Sequence, residues 1–467
     1  MLFPTLTFGL FFLVVYALVW TIHENEWRKL ILLVASWIFY GAWDWRFVTL
    51  LIGSGVLNWA CAKLISMSSG PIKRRVLLVF GVIANLGILA LFKYYGFFLD
   101  QVGDVLKAMH WQRDLPVLQV ILPIGVSFFT FQGMSYLIDV SRGKCAPASL
   151  LNVTLLMSFF AHLVAGPIVR GADLIPQFDK RPTLARGAAS LGVLMIVWGL
   201  FKKTVIASEL ATGLVDPVFF DPSAHSAIDL TAATYGYAVQ IYADFSAYSD
   251  MAIGLAALLG YRFPKNFNQP YRATTLQDFW RRWHISLSSW LRDYLFIPLG
   301  GSRGGVLFVC RNLFITMVLG GLWHGASWTF AIWGALHGGV LCIERIWQAI
   351  RPAWLPKAPQ LFSLILTFHI VCLGWIFFRA QTLDDALAFL TGFARFTGTP
   401  LTVTPMAVAL IVLGLALHFS PGNLIEEVAA RAARIPALVS GVMAGAMIGV
   451  IDALRPEGVA AFIYYQF

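Results

Sequence analysis

Charge is scarce in this chain. Charged residues make up 12% of its 467 positions and hydrophobic ones 58%, against roughly 25% charged in an ordinary soluble domain. So little charge cannot cover a soluble protein of this length, which leaves a polytopic membrane protein. Cysteine is also sparse. Cys61, Cys145, Cys310, Cys342 and Cys372 have neither zinc nor haem spacing, so no metal site is expected and they read as small buried hydrophobes. A glycine-rich nucleotide loop, a low-complexity linker and a soluble domain are all lacking, as are the internal repeats that mark many transporters. Without a basic n-region or a small-residue cleavage site at the N-terminus, the run Leu6–Ile22 is expected to be retained as the first span.

The net charge of +10 comes from basic residues at the ends of apolar runs: Arg28-Lys29, Lys73-Arg74-Arg75, Lys202-Lys203, Arg431 and Arg434. That placement suits cytoplasmic anchors at a membrane rather than a nucleic-acid stripe, so lipid is an expected partner and nucleic acid is not. Putting Arg28-Lys29 and Lys73-Arg74-Arg75 in the cytoplasm leaves the N-terminus outside. A crossing helix needs about 20 apolar residues, and the runs from Leu6–Ile22 to Ala437–Leu454 amount to about eleven crossings with re-entrant or interfacial segments. Leu30–Ala42 and Val117–Phe131 are among the short runs, and Pro264–Gly305 is too polar to cross. The expectation is one all-α membrane domain, residues 1–467, whose motifs concentrate between positions 240 and 345.

Two blocks stand out against this background: Phe279-Trp280-Arg281-Arg282-Trp283-His284 and Gly321-Leu322-Trp323-His324-Gly325. Ionisable residues are costly in lipid unless paired or lining a wet cavity, so His284 and His324 are the first catalytic candidates. Read as one helix from Gln277 to Asp293, the first block places Gln277, Arg281, His284 and Ser288 on a polar stripe beside Trp280, Trp283, Leu287 and Trp290. An interfacial anchor would explain its arginines and tryptophans equally well. Around His324, small residues would let a ligand or a second backbone approach, with Trp323 and Trp328 as walls. His337 would lie about 20 Å from His324 on a straight helix, which suggests packing or gating. Gln240, Asp244 and Tyr248 recur every four residues on one helical face, either as a site or as scaffold paired to Arg281 or Arg282. Leu122-Pro123-Ile124-Gly125 and Ala165-Gly166-Pro167 suggest helix breaks, with His162 just before the second.

These segments occur in order along nearly the whole chain and are joined by others. They include Leu122 to Gln132, Leu163 to Ile168, Asp244 to Gly254, Asn266 to Tyr271, Phe279 to Gly301, Trp375 to Ala380 and Phe462 to Phe467. Together they resemble the membrane-bound O-acyltransferase family, in particular its bacterial alginate-acetylating branch and the D-alanyl-transferring relatives. The chain departs from the family pattern at Ala161-His162, Ala247 and Ser302. The resemblance implies a funnel and tunnel through the membrane domain, with His324 as catalytic residue and His284 as its assistant. It implies a bacterial inner-membrane acetyltransferase with no bound cofactor, taking acetyl groups from a cytoplasmic thioester, acetyl-coenzyme A being the expected donor. The acceptor would be an exported polysaccharide, reached directly or through a periplasmic acetyltransferase or acceptor protein. D-alanyl or longer acyl transfer, or a non-enzymatic export channel, are the competing readings.

Overall fold

The computed structural model describes residues 3–111, 121–356, 358–395, 398–456 and 462–463. Among them the chain is helical throughout, with no strand. Part of the expected Val117–Phe131 run and of the terminal Phe462–Phe467 motif lies outside the described residues. Two compact units form, one from Met1–Leu184 with Ala256–Phe263, the other from Ala185–Leu255 with Pro264–Phe467.

The first unit contains α1 (Leu6–Thr21), α2 (Asn25–Asp44), α3 (Arg46–Met67), α4 (Pro71–Ala108), α5 (Val126–Ser141), α6 (Leu150–Ser158) and α7 (Gly171–Phe178). Its basic pair does not anchor the surface as expected. Arg28 is fully buried and donates to the carbonyls of Val19 (2.8 Å) and Ile22 (2.6 Å), satisfying groups that the end of α1 leaves orphaned. Lys29 is buried on Asn152 Oδ1 at 3.0 Å. Both expected breaks are present. Gly125 precedes α5 with φ 79°, where a Cβ would collide with the Leu163 carbonyl. The second falls where the short helix Phe160–Leu163 ends and 164–170 run non-helical to α7, with a further interruption at Phe159, and His162 lies buried just before it with its Nδ1 at 3.0 Å from Gln132 Nε2.

The second unit is built from α8 (Arg186–Phe220), most of α9 (Ala227–Leu258), α10 (Leu276–Arg282), α11 (Ile285–Leu291), α12 (Val306–His324), α13 (Trp328–Ile350) and α14 (Gln360–Arg379). It closes with α15 (Leu383–Gly392), α16 (Pro405–Ala416), α17 (Leu424–Ala432) and α18 (Ala437–Leu454). Helices α12 and α13 form a closely packed hairpin, with backbone of one against glycines of the other.

Six helices among the described residues are long and apolar enough to cross a membrane: α3, α4, α8, α12, α14 and α18. The count rises to seven if the pair Pro405–Phe419 and Leu424–Ala432, bent by 84°, forms one span. This is fewer than the about eleven crossings expected at roughly 20 apolar residues each. The physical reasons are local. At 16 residues α1 and α5 are short. The Leu150–Val169 run breaks at Phe159, and polar residues interrupt three more: Glu26, Arg28 and Lys29 in α2, Asp229, Asp244 and Asp250 in α9, Glu344 and Arg345 in α13.

Candidate active site

The helix expected from Gln277 to Asp293 is instead two short helices joined by an elbow. His284 stands at the junction with φ 42° and ψ 56°, the left-handed region that non-glycine residues rarely enter. Strain of this kind costs of the order of 1–3 kcal/mol and persists only where surrounding structure imposes it. The loop after Gly260 imposes it here, since Asn268 N donates to Arg282 O and Ile285 N to Asn266 O, both at 2.9 Å. The break dissolves both expected stripes. Gln277 and Arg281 are exposed while His284 is fully buried, and Trp283 and Trp290 lie inside the protein rather than at headgroup level.

One side chain fixes the protonation of the His284 ring. Its Nδ1 lies 3.2 Å from Asn266 Oδ1, an oxygen that also accepts from Ser286 N (3.2 Å) and Ser286 Oγ (2.8 Å). Ser286 N can only donate, so the amide atom it meets is the oxygen, and that oxygen faces the ring while the Asn266 amide nitrogen meets Ser249 Oγ at 3.0 Å. Nδ1 therefore carries the hydrogen, and Nε2 presents a lone pair with no hydrogen-bond partner among the described residues. Burial holds the His284 pKa down at about 3, keeping the ring neutral near pH 7. A buried neutral imidazole with an open lone pair can accept a hydrogen bond from a hydroxyl. Asn266 escaped the sequence reading as a functional residue because an asparagine in a loop has many roles.

His324 ends α12, and the chain turns through Gly325–Ser327 into α13. The glycines here serve helix packing rather than ligand approach. A Cβ on Gly321 would strike the Phe330 carbonyl and come within 3.1 Å of the Gly334 backbone, and one on Gly325 would enter the Phe330 ring. The His324 ring, 3% exposed, meets Trp323 at 5.0 Å, Trp333 at 5.2 Å and Phe378 at 5.2 Å, all edge-on. Trp328, expected as a wall, is 58% exposed, and Trp333 stands against the imidazole instead. Trp323 also lies 6.3 Å from the His284 ring, so one indole borders both histidines.

His337 is nearer this group than the straight-helix argument allowed, because the hairpin turn after His324 folds α13 back along α12. Its ring meets Trp333 at 4.8 Å, and its Nδ1 accepts from Trp280 Nε1 at 3.3 Å.

Gln240, Asp244 and Tyr248 are all buried on α9. Asp244 does not pair with Arg281 or Arg282; Arg282 bonds Asp278 at 2.9 Å. Asp244 binds Lys203 Nζ at 2.9 Å through one oxygen and accepts Ile463 N at 2.9 Å through the other. Lys202, expected as an anchor like Lys203, is buried on Asp250 (2.7 Å) and Ser246 (2.6 Å). The acidic pair on α9 is thus held by the two lysines of α8. Phe462 packs tilted against Tyr248 at 4.1 Å and approaches Phe245, whose ring stands edge-on to His284 at 4.6 Å. Among the described residues, no three His, Cys, Asp or Glu side chains are grouped to hold a metal ion.

The chain that carries these two histidines has relatives among known sequences. The model of the membrane-bound O-acyltransferase family matches residues 117–383, which include both histidines and the hairpin. Probable alginate O-acetylases are similar over most of their length. The protein from Pseudomonas aeruginosa is 40% identical over 83% of this chain and 73% of its own. A peptidoglycan O-acetyltransferase from Helicobacter pylori is 38% identical over 80% of this chain and 75% of its own. A teichoic acid D-alanyltransferase from Bacillus subtilis is 27% identical over 61% of this chain and 75% of its own. The chain belongs to the membrane-bound O-acyltransferase family, and it is a multi-pass membrane enzyme of the O-acyltransferase class.

Proposed function

We propose that this chain is a bacterial inner-membrane O-acetyltransferase that passes acetyl groups from a cytoplasmic thioester to an exported polysaccharide. In this reading acetyl-coenzyme A presents its thioester from one side, to a tunnel through a membrane domain of about eleven crossings, each about 20 apolar residues long. The acceptor hydroxyl comes from the other side, on the polymer itself or on a periplasmic partner protein. His324 takes the hydroxyl proton as the oxygen attacks the thioester carbonyl, and returns that proton to the coenzyme thiolate as the carbon–sulfur bond breaks. His284 orients that hydroxyl through its Nε2 lone pair. With Nδ1–H committed to Asn266, neutral His284 accepts hydrogen bonds at Nε2 and does not donate there, which favours orientation over stabilising the carbonyl oxygen.

The observation that carries the reading is the open Nε2 of neutral, buried His284, separated from His324 by the shared indole of Trp323. Acetyl is preferred over D-alanyl because the acetylating relatives are about 40% identical and the D-alanyl ones 27%. Mass spectrometry of the secreted polymer and of candidate periplasmic partners tests it, comparing wild type with His324→Ala. Loss of acetyl esters at unchanged polymer yield is expected. Retained esters would overturn the catalytic assignment, and D-alanyl esters in the wild type would overturn the choice of acyl group.

A further inference from the structure

The elbow that holds His284 is laced on one side by Asn266 and Asn268. On another side it is held by α13. Helix α10 has only seven residues, so packing rather than its own hydrogen bonds must stabilise it. Its first backbone N–H groups have no partner within the helix. Glu344 supplies one from α13: Oε1 accepts Leu276 N at 2.6 Å and Oε2 accepts Gln277 N at 3.2 Å. One turn further along α10, Trp280 Nε1 donates to His337 Nδ1 at 3.3 Å. His337 and Glu344 are seven residues apart, two turns along one face of α13. Between His337 and the start of the same helix stands Trp333, whose indole meets the His324 ring at 5.2 Å. A single helix therefore touches both the elbow of one histidine and the ring of the other.

We propose that Glu344 and His337 are positioning residues, and that α13 uses them to hold α10 so that His284 and His324 keep a fixed mutual placement. Neither side chain touches the reacting atoms; each acts through α10. An acidic residue inside an apolar helix thereby finds its purpose, since its carboxylate is spent on two backbone amides. The inference rests on the acyl-transfer reading above.

The experiment measures acyl transfer by purified protein in lipid vesicles, with acetyl-coenzyme A as donor, alongside thermal unfolding of each variant. Glu344→Ala and His337→Phe withdraw the acceptors and should lower kcat by tenfold or more with the donor KM unchanged. Glu344→Gln and His337→Asn keep a hydrogen-bond acceptor near the same place and should recover activity to within a few-fold of wild type. Should Glu344→Ala fail to fold, Glu344→Asp replaces it: the charge stays but the carboxylate retreats by one methylene, so a positional role makes Asp poorer than Gln. Wild-type kcat in Glu344→Ala and His337→Phe would overturn the proposal, as would a raised donor KM at normal kcat. If His324→Ala also acetylates normally, the acyl-transfer reading itself fails; if His324→Ala is dead and the α13 variants are unaffected, only this inference does.

Discussion

Asn266 decides which nitrogen of His284 is basic. Its carbonyl oxygen lies 3.2 Å from Nδ1, is held by two bonds from Ser286, and leaves Nε2 buried as an acceptor. The same residue's backbone carbonyl accepts Ile285 N and so helps keep His284 in its left-handed conformation. One loop residue thus sets both the tautomer and the backbone of the histidine.

Replacing Asn266 should separate these effects. Asn266→Leu removes the side-chain acceptor but keeps the backbone one, so the elbow should survive while the imidazole loses its fixed tautomer. A fall in kcat of about 100-fold, within the range for acid–base positioning, is expected from acetyl transfer in vesicles. Asn266→Asp should instead place a carboxylate beside Nδ1, favour the charged ring and move the acidic limb of the pH–rate profile upward. An unchanged profile in Asn266→Asp would remove Asn266 from this role.

The motifs were legible before the structure but their geometry was not, and the differences share a cause. His324 announced itself because a histidine among glycines in an apolar run needs a reason. Nothing in Arg282-Trp283-His284-Ile285 signals a left-handed residue, since no glycine, asparagine or proline marks the break. Bonds from Asn266 and Asn268, distant in local pattern, create it. Lys202-Lys203 and Arg28-Lys29 looked like anchors because a basic pair at the end of an apolar run is the same pattern whether it faces water or Asp244, Asp250 and backbone carbonyls. Among the described residues six or seven helices have the length and composition to cross, against about eleven expected at roughly 20 apolar residues each, in part because α2, α9 and α13 carry charged residues whose partners lie within the protein.

The Lys203–Asp244 pair should show the asymmetry of buried charges. Lys203→Met leaves a buried carboxylate facing no cation and should destabilise the fold by about 3–5 kcal/mol. Lys203→Met with Asp244→Leu removes both charges and should restore most of that loss. Activity in the double variant should remain low, because Ile463 N loses its acceptor and Phe462 its fixed place against Tyr248 and Phe245. Thermal unfolding in detergent, read beside acetyl transfer, distinguishes the two effects. Equal stability of single and double variants would contradict the pairing.

The α12–α13 hairpin offers a contrast within one helix. Gly334→Ala would drive a methyl into the Met317 carbonyl and to 2.9 Å from the Val318 Cα, backbone atoms that cannot turn away. Overpacking of this kind costs about 1–3 kcal/mol and should also displace His324 at the end of α12. Gly339→Ala meets nothing within 4 Å, so its kcat should match wild type and its stability should equal or slightly exceed it. Comparable losses in both would point to helix flexibility rather than close packing as the reason for glycine.

The burial of neutral His284 predicts how stability responds to acid. The ordinary imidazole value is 6.5, and burial lowers that of His284 to about 3. Between these values the unfolded chain binds a proton that the folded one refuses, so stability falls as pH drops through this window. Above about 6.5 both states are neutral at this position and the contribution vanishes. His284→Asn isolates the effect, since asparagine tolerates the left-handed conformation better than most residues and carries no titratable group. Apparent Tm should therefore fall less steeply from pH 7 to pH 4 in His284→Asn than in the wild type, with the two curves parallel above pH 7. A steeper fall in the variant would mean that protonated His284 is favoured by the fold, and would reverse the assignment of its Nε2 as an acceptor.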